Sequence, residues 1–412
     1  MMKIYPFRAI RPDSDEASQV ASLPYDVVNR EEAAELAKGF PNSFLRVVRS
    51  EIELPAEVDA YSDQVYAKAV ENLHKMQKAG VLIQDDEPYF YVYRQTMDGR
   101  EQYGLVCCVH AQDYVDGNIK KHELTRADKE EDRLRHVLET NCNTGPVFLT
   151  YQDSGQYEIF SQVCKQAPLY DFVAVDGIGH TVWRMDSPEI QAKLLESFAQ
   201  VPHSYIADGH HRSAAGTRAA LYRAQNNPQH TSDEEYNRFM AILFPADHLK
   251  IFDYNRVVQD LNGHSSAEFM EKLGKIFDIE EIPSAQSPGQ AQQVNLYLDK
   301  KWYACKFKSE HLQNLSVTDR LDVSLLQNLV LKPLLGIDDP RTSQRIDFVG
   351  GIRGLDGLQK RVDSGEMACA FAMHPTTITE LIDIADAGEI MPPKSTWFEP
   401  KLRSGLLIHS LD

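Results

Sequence analysis

Two adjacent histidines and an arginine mark the junction between an apolar run and an alanine-rich one in PHSYIADGHHRSAAGTRAAL, residues 202–221. HSYIA has strand propensity and SAAGTRAALYRA is a run of good helix formers, so residues 208–212 fall at a strand-to-helix turn. Gly209 opens backbone conformations there that are closed to other residues. The free amides of a helix start carry partial positive charge and attract anions, phosphate above all. Arg212 adds a planar fork of donors, and each imidazole adds a ring N–H that donates more strongly when protonated. Gly209, His210, His211 and Arg212 are therefore expected to cradle phosphate, with His211 also assisting catalysis. Asp208, at the strand end, is the first candidate for metal or acceptor contact. Two readings compete. In one, Asp208 is a plain helix cap and the histidines pack or meet water. In the other, His210 and His211 ligate metal, which their adjacency makes awkward.

Phosphoryl transfer needs more than a cradle: a divalent metal such as Mg²⁺, a carboxylate to hold it, and a group that orients the attacking hydroxyl. KKHELT, residues 120–125, precedes a helix. In an extended segment side chains alternate, which places Lys121, Glu123 and Thr125 on one face and His122 on the other. Glu123 is then a general base with a carboxyl raised by burial, or a metal ligand beside Asp208. Thr125 is a substrate contact on the same face. In MPPKSTWFEPK, residues 391–401, Pro392 and Pro393 stiffen a loop in which Lys394 is expected to cover a phosphate and Trp397 to wall the pocket. Asp26, in the extended LPYDV, is placed to meet a substrate amine. Each of these residues also has an ordinary structural role open to it: a helix-start acid, solvated lysines, a proline loop before a final strand.

The elements that must position these groups follow from periodicity. AYSDQVYAKAVENLHKMQKAG repeats apolar residues at helical spacing up to Gly80. Two β-rich runs flank the turn signal Asp98-Gly99 and read as a hairpin. Thr125 with Asp128 is a capping-box pattern. VFLTY, YEIF and HTVWRM read as strands, SPEIQAKLLESFAQ as a helix, and from about Ser265 the helix and strand patterns restart. The expected fold is mixed α/β of the α+β class, with an N-terminal region at 1–262 and a C-terminal one at 263–412.

Composition narrows the function classes. The chain has 412 residues, 42% of them hydrophobic and 25% charged, which suits a folded globular protein. A net charge of -18 repels polyanions and argues against nucleic acid as a partner. The six cysteines form no CxxC pair and no zinc-type spacing with histidine, so reduced thiols and a cytoplasmic location are expected. MMKIYPFRAIRP has no apolar stretch before a small-residue cleavage site, and no window has the length to span a bilayer. Gly350-Gly351 and GLDG make neither a GxGxxG nor a P-loop, and no GxSxG is present.

DGHHR followed by an alanine-rich helix resembles the phosphate-binding motif of the ParB and sulfiredoxin-like superfamily, in which free serine kinases carry a very similar Asp-Gly-His-His-Arg. Through PFRAIRP, LPYDVV, KHELT, ADGHHR and MPPKSTWFEPK, the chain also resembles, over nearly its full length, the domain-of-unknown-function family numbered one thousand and fifteen. The first resemblance implies a ParB/sulfiredoxin-like core, enlarged by further α/β elements, with Gly209, His210, His211 and Arg212 on a phosphate chain. The expected activity is phosphoryl transfer from a nucleotide or pyrophosphate to a small hydroxylated metabolite, free serine among the candidates. A nucleotide-binding sensor without turnover and a metal-dependent phosphohydrolase are the alternatives, and self-association into a homo-oligomer is left open.

Overall fold

The computed structural model describes residues 2–412. The chain divides into two units: Met1–Leu249 together with Pro400–Asp412, and Lys250–Glu399. Asn262, where the sequence reading sets a boundary, lies inside the second unit. Both units mix helices and sheets, an α+β architecture.

The first unit is built on a nine-stranded sheet. Its strands are β1 (Ile4–Tyr5), β2 (Phe90–Met97), β3 (Arg100–His110), β4 (Ile119–Lys120), β5 (Val147–Tyr151), β6 (Tyr170–Val173), β7 (Gly179–Met185), β8 (Ser204–Asp208) and β9 (Arg238–Pro245). The order is β4-β8-β5-β9-β3-β2-β7-β6, with β1 on β3. Most neighbours are antiparallel, but β4 runs parallel to β8 and β5 parallel to β9. The hairpin between β2 and β3 turns at Asp98 and Gly99, both at positive φ, as a two-residue turn of matching twist requires. In the middle of β3, Gly104 is needed for close packing: a Cβ there would stand 2.5 Å from Ile242 Cγ2 and 2.7 Å from Phe244 Cζ. Leu105, Cys107, Val109, Leu149, Ala241, Leu243 and Phe198 fill the main core. Its helices include α1 (Asp63–Lys78), α2 (Ala127–Thr140) and α3 (His210–Asn226), the last two of which flank the site.

The second unit holds a six-stranded antiparallel sheet of β10 (Tyr254–Val258), β11 (Phe277–Ile282), β12 (Gln293–Leu298), β13 (Lys301–Phe307), β14 (Ile346–Gly350) and β15 (Cys369–Met373), in the order β11-β13-β12-β15-β10-β14. α4 (Ser266–Leu273) and α5 (Ile378–Asp386) open with complete capping boxes, Ser265 with Glu268 and Thr377 with Glu380. The six cysteines are all free thiols. Among the described residues no helix is long and apolar enough to cross a membrane.

Two local expectations are corrected. YEIF is helical, within Gln156–Phe160. The Asp153 carboxylate accepts the amides of Gly155 and Tyr157 and starts a helical turn, which a four-residue alternation cannot outweigh. Thr125 does not cap α2. The N-cap is Arg126, and the Thr125 hydroxyl donates instead to Glu130, at 2.9 Å.

Arg11, in the N-terminal PFRAIRP, is a structural residue. Its Nη2 lies 2.7 Å from Asp85 Oδ1, and Tyr91 and Arg184 complete the shell around that buried carboxylate. Burial alone would raise the Asp85 carboxyl, but hydrogen bonds from Arg11 and Tyr91 hold it below its usual range. A lowered native pKa means stability that is fully present above the unfolded carboxylate value and lost as pH falls through the native one. Asp85→Asn should therefore cost about 3–5 kcal/mol at neutral pH by leaving Arg11 without its counter-charge. It should also flatten the loss of stability between about pH 5 and pH 2, which urea titrations across that range would measure. An unchanged acid profile would contradict the assignment.

Candidate functional site

Strand topology brings the chemistry together. Because β4 and β8 are parallel, with Ile119 opposite Ser204 and Lys120 opposite Tyr205, both leave the sheet at the same edge. His122 and Glu123 follow from one strand, and Asp208 and Gly209 from the other. Carboxyl ends of parallel strands are where such sheets gather functional groups. On its other side β8 is antiparallel to β5, which brings the segment entering β5, residues 143–146, to the same edge. A register shift between Ile206 and Asp208 is a bulge that re-aims the strand end.

At Gly209 the backbone turns to φ +95°, and α3 begins with no side-chain cap and no acidic residue in its first turn. Arg212 folds back over that turn. A Cβ at Gly209 would stand 3.1 Å from Arg212 Nε and 3.2 Å from Cζ, and one at Gly145 would stand 4.0 Å from Nη1. The guanidinium thus lies between two glycines. Its Nη1 donates to the Pro146 carbonyl, its Nη2 is 3.7 Å from Asp208 Oδ1, and its Nε has no hydrogen-bond partner. It lines a pocket shared with Tyr25, Arg133, Thr144, Gly145 and Ser404.

Asp208 is held between two cations. Lys401 Nζ sits 3.0 Å from its Oδ2. Burial opposes ionisation, yet Lys401 and Arg212 keep the carboxyl well below the usual range. Lys401 is fixed in turn: its carbonyl accepts from Gln95 Nε2 at 2.9 Å, and Arg403 nearby donates to His180 and pairs with Asp176.

The two histidines of the motif part company. His211 Nε2 accepts the Arg126 backbone amide at 3.1 Å, so it serves the start of α2. His210 faces the other way, its ring 4.6 Å from that of His122 at 87° and its Nδ1 3.9 Å from Glu123 Oε2. Burial pushes His122 down to about 4, and burial reinforced by His122 pushes His210 well below its usual value. Burial also lowers His211. Burial thus disfavours the protonated form of all three imidazoles, the form in which they would donate most strongly to a phosphate.

KKHELT is extended only to Lys120, where β4 ends. Beyond it the alternation expected for an extended segment fails, and His122 and Glu123 both join His210: one ligand atom from each, all within 4.8 Å of one another. The Glu123 side chain is 45% exposed, so the burial expected of it is not found. Thr125 is engaged with Glu130. Asp26 is exposed, and it is the foremost charged neighbour of both Arg212 and His211. Lys394 and Trp397 belong to the second unit. There Lys394 Nζ lies 5.5 Å from the centre of the Tyr254 ring, and Trp397 packs edge-on against the same ring. The lysine on Asp208 is Lys401, which the sequence reading did not single out. It also passed over Arg133, Thr144 and Ser404, for which the chain holds no local signal.

The family described as "protein of unknown function (DUF1015)" matches residues 4–324, and the chain belongs to it. No curated protein matches. Among solved structures, a free serine kinase in complex with AMP is 14% identical over 73% of this chain and 91% of that one, with a TM-score of 0.37. A conserved hypothetical protein from Pyrococcus furiosus is 14% identical over 74% and 95%, at 0.37. SbnI with C-terminal truncation from Staphylococcus aureus is 9% identical over 74% and 87%, at 0.39. Likeness at this level carries no argument about activity.

Gly209→Ala tests the turn. It places a Cβ at positive φ and against the Arg212 guanidinium, and should cost about 1–3 kcal/mol in a thermal or urea melt. A variant as stable as the parent would show that the turn tolerates a side chain and that Arg212 is not seated on it.

Proposed function

We propose that this member of the family binds the phosphate chain of a nucleotide or pyrophosphate at the Gly209 turn and transfers a phosphoryl group to a small hydroxylated metabolite, free serine being the first candidate. The observation that carries this reading is the state of Arg212. Its side chain is only 10% exposed, it is flanked by two glycines, its Nε is unpartnered, and it lines a pocket at a helix start that no side chain caps. A buried guanidinium with an unused donor is costly unless an acceptor arrives, and a phosphate oxygen suits it. The leading amides of α3 supply further donors in the same direction as the helix dipole.

The other residues take roles from their placement. Arg133, Thr144 and Ser404 line the pocket beside Arg212, a second cation and two hydroxyls suited to the remaining phosphate oxygens. Asp208, held ionised by Lys401 and Arg212, orients those cations. Its lowered carboxyl makes it a poor proton acceptor, so orientation of the acceptor hydroxyl falls to the cluster of Glu123, His122 and His210 at the same edge. Asp26, exposed near Arg212, is the carboxylate for an acceptor amine. Mg²⁺ does not match the donors at this edge. Asp208 Oδ2 is engaged by Lys401, and the remaining cluster is two imidazoles and one carboxylate, whereas Mg²⁺ favours an octahedral oxygen set with retained waters.

Calorimetric titration with ATP, ADP, AMP and pyrophosphate, followed by assay of donor consumption with serine and related hydroxylated acceptors, tests the reading. Arg212→Ala should weaken donor binding roughly thirty- to hundredfold, the worth of a lost charge-assisted fork. Arg212→Lys, keeping the charge without the fork, should fall between. If the parent binds none of these phosphates, or Arg212→Ala binds them equally well, the cradle is refuted. Saturable binding without turnover would replace the transferase with a sensor.

A further inference from the structure

We infer that His122, Glu123 and His210 form a binding site for a borderline divalent transition ion of the Zn²⁺ or Co²⁺ class, distinct from the phosphate cradle and present without it. One ligand atom of each of the three residues lies within 4.8 Å of the others. Tetrahedral ligand atoms around Zn²⁺ stand roughly 3.4 Å apart, so the three ligand atoms are within about 1.4 Å of that spacing. His122 and Glu123 follow two and three residues after the end of β4, and His210 is the first residue of α3. Two separately held backbones thus deliver the set from the parallel pair β4 and β8.

A second observation points to a ligand. Both ring nitrogens of His122 and Nε2 of His210 are buried and have no hydrogen-bond partner, although the two residues are only 1% and 6% exposed. Each buried polar atom left unmade costs about 1–3 kcal/mol. Edge-to-face packing of the two rings, the simplest structural account, satisfies none of these nitrogens. A cation bound between the rings would take up one nitrogen of each. Two imidazoles and a carboxylate select against Mg²⁺ and Ca²⁺, which take oxygen. Three protein ligands also leave a coordination position for water or a substrate oxygen, the arrangement of ions that act on substrates rather than hold a fold together. Asp208 stays outside the set, its Oδ2 engaged by Lys401 at 3.0 Å.

The test is a titration of the chelator-stripped full chain with Co²⁺ in the absence of any nucleotide, so that its outcome does not depend on the phosphate reading. Visible absorption reports binding, and Zn²⁺ and Mg²⁺ serve as competitors. The expected result is one Co²⁺ per chain, displaced by an equivalent of Zn²⁺ and not by a large excess of Mg²⁺. Glu123→Gln, at a half-exposed side chain, should keep the fold and weaken Zn²⁺ at least about hundredfold, as loss of a direct ligand exceeds loss of an outer partner. His122→Asn is the second variant and should abolish the Co²⁺ spectrum. Absence of stoichiometric Co²⁺ or Zn²⁺ binding in the parent would overturn the inference. So would variants that bind as the parent does, or displacement of Co²⁺ by Mg²⁺.

Discussion

The edge where β4 and β8 end is organised by one carboxylate. Asp208 lies between Lys401 at 3.0 Å and Arg212 at 3.7 Å, and each cation has its own anchor. Lys401 comes from the last residues of the chain, which return to the first unit through Gln95, His180 and Asp176. Arg212 comes from the first turn of α3 and is tied to the carbonyl before β5. Removing the carboxylate would leave two partly buried positive charges facing each other. With it, a guanidinium can rest on bare glycine backbone with a donor to spare. The turn, the strand entering β5 and the C-terminal segment therefore stand or fall as one electrostatic unit.

Much of this frame is legible in the residues. The change from β-formers to alanine-rich helix formers around Gly209 places the strand end at Asp208 and the helix start at His210, where the structure has them. The Asp98-Gly99 hairpin is found as read, and VFLTY and HTVWRM lie in strands, at 147–151 and 179–185, because β-formers in each are bounded by turn or polar residues. YEIF shows the limit. Four residues carry no decisive period, and a single Asp153 side chain accepting two amides settles the matter for helix.

The site was harder to read because its partners are set by topology. Nothing in MPPKSTWFEPK distinguishes Lys394 from Lys401 locally. The chain passes from the second unit to the first between Glu399 and Pro400, and only the lysine beyond that point can share a unit with Asp208. Glu123 and His122 were assigned opposite faces by strand alternation. Yet β4 is only two residues long, and past Lys120 no ladder enforces the alternation. Arg133, Thr144 and Ser404 converge on Arg212 from three separate segments, a convergence visible only once the sheet order is known.

The doubled histidine of the motif then has a geometric explanation. Successive residues at the start of a helix point about 100° apart, so two adjacent imidazoles cannot serve one ligand together. His211 turns toward the Arg126 amide and fixes the start of α2 against α3, while His210 turns toward His122 and Glu123. The pair thus links three separate pieces of chain across one turn: the helix that carries Arg212, the helix that follows KKHELT, and the end of β4. A phosphate at the turn would meet Arg212 and the backbone amides. On the proposed reading the histidines would act by holding the elements around it, His211 through the Arg126 amide and His210 beside His122 and Glu123.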